Sequence, residues 1–185
     1  MLRWFLKRSV RKLQRDFNYD TSYANDLIAH APLAMLWLAL APRIIRRPRE
    51  APLDVWYAAG LTGVIEADCG PCTQLGVRFA EKDGVSAPVL RAVLTADESA
   101  MSNDVRLAVR YTRTSLRLEL DAEGYRAEIL QRWGPRALAR LAYVITVAGL
   151  FPTIKYALGH GQACTRVRLG NETLPVHKPI PEEVA

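Results

Sequence analysis

The sequence predicts an all-α protein, a multi-helix bundle preceded by an N-terminal helical extension. Apolar residues recur at three- and four-residue spacing along most of the chain, and prolines and glycines stand where helices would start and stop. Alternating apolar and polar residues are confined to short runs such as Arg166 to Leu169, so no sheet is expected. At 185 residues, half of them hydrophobic, the chain is long enough to bury one sizeable core.

The first element is a basic amphipathic helix. Leu2, Phe5, Leu6, Val10, Leu13 and Phe17 form its stripe, with Arg3, Lys7, Arg8, Arg11, Lys12 and Arg15 mostly between them. Asn18 to Asn25 reads as a turn, Asp26 to Leu40 as a helix interrupted early by Pro32, and Pro42 to Pro52 as a basic linker. This gives an extension and linker over 1–52, a helical core over 53–164 and an irregular tail over 165–185.

In the core, Leu53, Trp56, Gly60, Leu61 and Val64 share one helical face, and Gly60 and Gly63 leave room for a neighbouring helix. Gly70-Pro71 ends that run, and Pro71 opens a helix to Lys82, stopped by Gly84. Ser86 caps a short helix through Leu94, and Thr95-Ala96-Asp97-Glu98 has capping-box spacing. Helices are expected next over 104–116, over 121–133 up to Gly134, and from Pro135 to about Ala148, where Gly149 and Pro152 are expected to break the run.

The formal charge of +6 is uneven. Ten bases face three acids before Glu50, a net +7, while the remaining fifteen bases and sixteen acids give −1. The positive charge therefore belongs to the extension, which argues against specific nucleic-acid binding by the core. The apolar stretches Ala31 to Ala41 and Leu141 to Ile154 are shorter than the roughly 18–20 residues of a membrane span. With charges interrupting any leader-like apolar core and three cysteines in all, the expected location is the cytoplasm, peripheral to a membrane if the basic helix docks there.

Cys69-Gly70-Pro71-Cys72 carries the chemistry. A dithiol at a helix start meets unpaired backbone N–H groups and the positive end of the helix dipole, which can lower a thiol pKa from about 8.5 to between about 3.5 and 7.5. This makes Cys69 the expected exposed nucleophile and Cys72, one turn deeper, the resolving thiol. Glu66, Asp68 and Tyr57 are candidate proton carriers beside it, and an acid near a helix end is also ordinary capping chemistry. The alternatives for the dithiol are two buried thiols or half of a metal site. No second Cys-x-x-Cys accompanies it, and Cys164, His30, His160 and His177 lack ligand spacing, so neither a metal nor a cofactor is expected.

Cys-Gly-Pro-Cys is also the thioredoxin tetrapeptide, but that fold needs a strand before the motif, and here a helical pattern precedes it. From about Val55 to Gly159 the chain resembles the alkylhydroperoxidase-D-like and carboxymuconolactone-decarboxylase-like superfamily. The resemblance is carried by Ala67-Asp68-Cys69-Gly70-Pro71-Cys72, Phe79-Ala80, Gly84-Val85-Ser86, Leu94-Thr95-Ala96-Asp97-Glu98 and the apolar run Leu138 to Phe151. It implies an alkylhydroperoxidase-D-like bundle, a homo-oligomer and thiol-disulfide or peroxide chemistry. The chain departs from the peroxidase pattern at three positions. The histidine after the second cysteine falls on Gly76, a second histidine on Pro71, and the upstream glutamate on Tyr57. The family's proton relay is therefore absent, and weak hydroperoxide turnover is expected.

Two functions stand as expectations. One is a dithiol redox protein reducing a peroxide or a protein disulfide, with a thiol or disulfide protein as partner. The other is a non-catalytic oligomeric helical protein whose basic arm docks on a partner. The stripe over 1–17 must be covered by the protein's own core, by a sister subunit or by an anionic membrane surface.

Overall fold

The computed structural model describes residues 1–44 and 50–178. Eight α-helices lie among them, α1 (Leu2–Phe17), α2 (Ser22–His30), α3 (Pro32–Ile44), α4 (Leu53–Glu66), α5 (Gly70–Asp83), α6 (Ala87–Leu94), α7 (Asn103–Arg117) and α8 (Ala122–Ala157). A hairpin of β1 (Arg166–Leu169) and β2 (Glu172–Pro175) comes after them. Of the stretch 42–52 read from the sequence as a basic linker, 42–44 belong to the end of α3, with Pro42 inside the helix, and 45–49 lie outside the described residues.

The apolar helix α4 is the hub, touching α5, α6, α7 and α8. Val55, Ala59 and Leu61 are buried in it, and Gly63 lets α8 come so close that an added Cβ would stand 2.8 Å from the Cβ of Ala148. Leu90, Val105, Ile129 and Leu141 complete the main core from the surrounding helices. Truncating a side chain such as Leu141 to alanine there costs about 2–5 kcal/mol.

Helix starts and stops obey local chemistry. The Asp20 carboxylate accepts from the Ser22 backbone N–H at 2.9 Å and opens α2 inside the stretch read as a turn. Pro32 begins α3 rather than interrupting a longer helix, because its missing N–H costs nothing in a first turn. Thr95 does not start a helix. Its hydroxyl donates back to the Arg91 carbonyl at 2.9 Å as α6 ends, and the capping falls to Asp97 on a short 3-10 turn and to Ser102 on α7.

Helix α8 bends at Gly134, whose φ of +78° suits glycine, and then runs on past Gly149 and Pro152 to Ala157. Pro152 removes the backbone donor that would meet the Ala148 carbonyl, yet the helix continues through it, with Pro152 itself buried. The joined helix is long and apolar enough to cross a membrane by length and composition, and a third of its most apolar stretch is already buried inside the protein.

The expectation of an irregular tail is corrected by the hairpin. Val167 pairs with Leu174 across the antiparallel register, and both side chains, with Leu169, enter the main core. Gly170, at φ +55°, makes the turn. Gln74 on α5 holds β1 through both its amide atoms, and Arg91 on α6 grips Glu172 with two hydrogen bonds, so the hairpin ties α5 to α6.

A second apolar cluster lies under the N-terminal helices. Leu6, Val10, Tyr19, Tyr23, Ile28, Met35 and Leu38 pack there with Leu75 of α5 and Phe151 and Ile154 of α8. The inner half of the α1 stripe is thus covered by the protein's own core. Trp4 and Phe5 remain 64% and 66% exposed, with the Arg8 guanidinium over the Trp4 ring.

Candidate functional site: a dithiol at the start of α5

Cys69 is the N-cap of α5, and its carbonyl accepts from both the backbone N–H and the hydroxyl of Thr73. Cys72 lies one turn on, with Cα atoms 5.3 Å apart and the two sulfurs at disulfide distance. The sequence expected Cys69 to be the exposed thiol, whereas both cysteines are buried and Cys69 is the deeper. Cys69 is 0% exposed, and Cys72, at 7%, is the cysteine that borders a cavity.

The chain after α8 covers Cys69. Asp68, itself at φ +50°, accepts from the Cys164 backbone N–H at 2.8 Å through its carboxylate and from the Tyr156 hydroxyl at 2.8 Å through its carbonyl. The Gly70 N–H donates to the Gln162 carbonyl at 2.9 Å. A side chain at position 70 would meet the Ala163 carbonyl oxygen at 2.7 Å, so this strap needs the glycine of the motif. Cys164 lies behind the dithiol, its thiol 3.2 Å from the Thr73 hydroxyl and its pKa pushed up by burial.

The other sequence candidates separate. The Glu66 carboxylate, 7% exposed, is held by Arg117 at 3.0 Å and Arg113 at 3.4 Å, an ion pair joining α4 to α7. Asp68 is engaged in the strap. Tyr57 donates its hydroxyl to Asp83 at 2.5 Å and, like Gly76, lines the cavity that Cys72 borders.

That cavity has a volume of about 480 Å³, opens to solvent on one side and is lined largely by apolar side chains, among them Val10, Met35, Trp56, Leu75 and Phe151. Its size falls in the range of small-molecule sites. The N-terminal helices close one side of it, so residues 1–44 belong to the site's architecture.

Sequence reasoning missed a second group of residues. The Tyr19 hydroxyl lies 4.0 Å from the Cys72 sulfur. The Lys155 ammonium stands 4.3 Å from the centre of the Tyr19 ring and 5.0 Å from that of Tyr23. Lys155 is 0% exposed, and its Nζ has no hydrogen-bond partner among the described residues. Burial lowers its pKa to about 8, against a smaller upward pull from the Asp20 charge, and burial raises the Tyr19 and Tyr23 hydroxyls. The available signal was one lysine inside the apolar run Leu150 to Leu158. Among the described residues no group of three or more His, Cys, Asp or Glu is placed to hold a metal ion.

No protein-family model, curated protein or solved structure matches the chain. The functional reading therefore starts from the chemistry of the site.

Proposed function

We propose that the protein is a dithiol oxidoreductase that cycles Cys69 and Cys72 between disulfide and dithiol, as a distant member of the alkylhydroperoxidase-D-like superfamily. The observation that carries this is the pair of sulfurs at disulfide distance with Cys72 facing an apolar cavity and Cys69 sealed behind it. In the reduced form the Cys72 thiolate attacks the substrate and Cys69 resolves the adduct. The S–S bond forms, and two electrons and two protons pass to the substrate. The cavity favours an apolar small molecule over a protein disulfide. Hydroperoxide turnover is expected to be weak, because Gly76, Pro71 and Tyr57 stand where the family's relay groups would be.

Mass mapping after mild oxidation, with timed alkylation of the reduced chain, tests the reading. The expected result is a Cys69–Cys72 disulfide that reforms reversibly, with Cys72 alkylated first by a neutral apolar reagent. Two free thiols after oxidation would overturn the redox function. Faster alkylation of Cys69 would return the nucleophile's part to that residue, as the sequence alone suggests.

A second reading is favoured by the exposed Trp4 and Phe5 on a helix with six cations and no acid before Asp16. In it, α1 docks the protein on an anionic membrane surface, each cation contributing about 1 kcal/mol. This is compatible with the redox reading, since an apolar substrate is most concentrated in a membrane.

A further inference from the structure

We infer that Lys155, acting through Tyr19, supplies the counter-charge for the Cys72 thiolate of the reduced protein. This deepens the dithiol reading and rests on it. Lys155 is a fully buried ammonium with no hydrogen-bond acceptor among the described residues, an arrangement that folded proteins avoid unless something compensates it. The faces of Tyr19 and Tyr23 compensate it in part through their ring quadrupoles.

Among the described residues, the charged and titratable groups around Lys155 leave it without a close anion. Asp20, between the two tyrosines, acts on it at a distance, and its carboxylate is engaged by the Ser22 N–H and hydroxyl. His160, whose backbone N–H donates to the Lys155 carbonyl, has its ring paired with Asp26 at 2.7 Å. Across Tyr19 lies Cys72, with the hydroxyl 4.0 Å from its sulfur. In the disulfide state that sulfur is neutral. Reduction by a dithiol donor breaks the S–S bond and adds two electrons and two protons, while the donor closes its own disulfide. Loss of the Cys72 proton to solvent then creates an anion beside the Tyr19 hydroxyl, which turns from its hydrogen bond with the Tyr23 hydroxyl to donate to it, with the ammonium on the face of the same ring.

The missing counter-ion of Lys155 thus appears when the site is reduced. Lys155 is a positioning residue in this scheme, and Tyr19 is the group that touches the reacting sulfur. No histidine lies near Cys72 in sequence, and the positive charge reaches the site from α8. Stabilising the thiolate makes Cys72 more acidic and makes the disulfide easier to reduce.

The test uses the full chain and the variants Lys155→Met, Lys155→Arg, Tyr19→Phe and the double variant Lys155→Met/Tyr19→Phe. The Cys72 pKa is read from the pH dependence of its alkylation rate, and the disulfide equilibrium from glutathione buffers. Lys155→Met is expected to raise the Cys72 pKa by about one unit. It also moves the glutathione equilibrium about tenfold toward the disulfide, about 30 mV for a two-electron couple. Tyr19→Phe shifts both in the same direction, Lys155→Arg keeps the wild-type values, and the double variant falls short of the sum of the single effects. Unchanged pKa and equilibrium in a folded Lys155→Met protein would overturn the inference. Should that variant not fold, unchanged values in Tyr19→Phe overturn it equally. A wild-type pair that never equilibrates with glutathione removes the dithiol reading and this inference together, whereas normal cycling with an unmoved Lys155→Met removes only the inference.

Discussion

Lys155 makes the stability of the oxidised protein depend on pH in a direction unusual for a lysine. Its folded pKa is about 8 against 10.5 for the free group. Below 8 both folded and unfolded chains carry the proton, and the folded state bears the full cost of the buried charge. Between 8 and 10.5 the unfolded chain binds more protons, so stability rises with pH across that window. Lys155→Met is therefore expected to exceed the wild type at pH 7 by about 1–3 kcal/mol, with the gap closing toward pH 10. Urea denaturation of both proteins at the two pH values checks this, and a gap that does not change with pH would contradict it. Glu66 poses the opposite case. Removing its buried carboxylate costs both arginines a partner, but Arg113 keeps Glu98 at 3.4 Å and Arg117 keeps Glu119 at 3.9 Å, so Glu66→Ala is expected to cost about 1–3 kcal/mol. The same variant should leave the disulfide equilibrium with glutathione unmoved if Glu66 joins helices and takes no part in the chemistry. A large shift in that equilibrium would restore it as a proton carrier.

Among the elements, α5 was legible because Pro71 and Gly84 bound it by local backbone chemistry, and α6 starts at Ser86 as expected, although the Ser86 side chain makes no capping hydrogen bond. The hairpin escaped because its signal is two buried residues in one short strand and a single one in the other. Only the Gly170-Asn171 turn hinted that Arg166 to Leu169 pairs with Glu172 to Pro175. The extent of α8 escaped because Gly149 and Pro152 read as breakers, and nothing local to them tells that the turns beyond, which bury Pro152 and Lys155, stay helical. The dithiol itself was plain from spacing. Tyr19 and Lys155 were not, since no local pattern relates residues so far apart in the chain. Val167→Asp, which puts a charge into the core behind α5, should unfold the hairpin and loosen α5 from α6. Hydrogen exchange at the Arg168 N–H, now held by Gln74, would show this as lost protection. For α1, sedimentation with anionic vesicles of the full chain against one starting at Asn18 separates its two uses. Equal recovery in the supernatant would set aside membrane docking.

At the scale of the whole molecule, the cavity is walled by helices from both ends of the chain, so its integrity reports on the fold as a unit. An apolar fluorescent probe seated in it is expected to be lost when residues 1–17 are removed, even though the main core around α4 remains. Retention of the probe by the shortened chain would place the binding site elsewhere. The homo-oligomer that the family resemblance implies is checked by light scattering, and a monomer across micromolar concentrations would set it aside. The division of the wall between distant segments also has a meaning in time. The wall built by α1 to α3 is made first, and Phe151 of α8, which lines the same cavity, emerges more than a hundred residues later. At ~5–20 residues per second this is an interval of roughly five to twenty seconds. Throughout it the three N-terminal helices, with the cations and the exposed Trp4 and Phe5 of α1, hang from a growing ribosome-bound chain, able to meet a lipid surface before α8 arrives to close the wall.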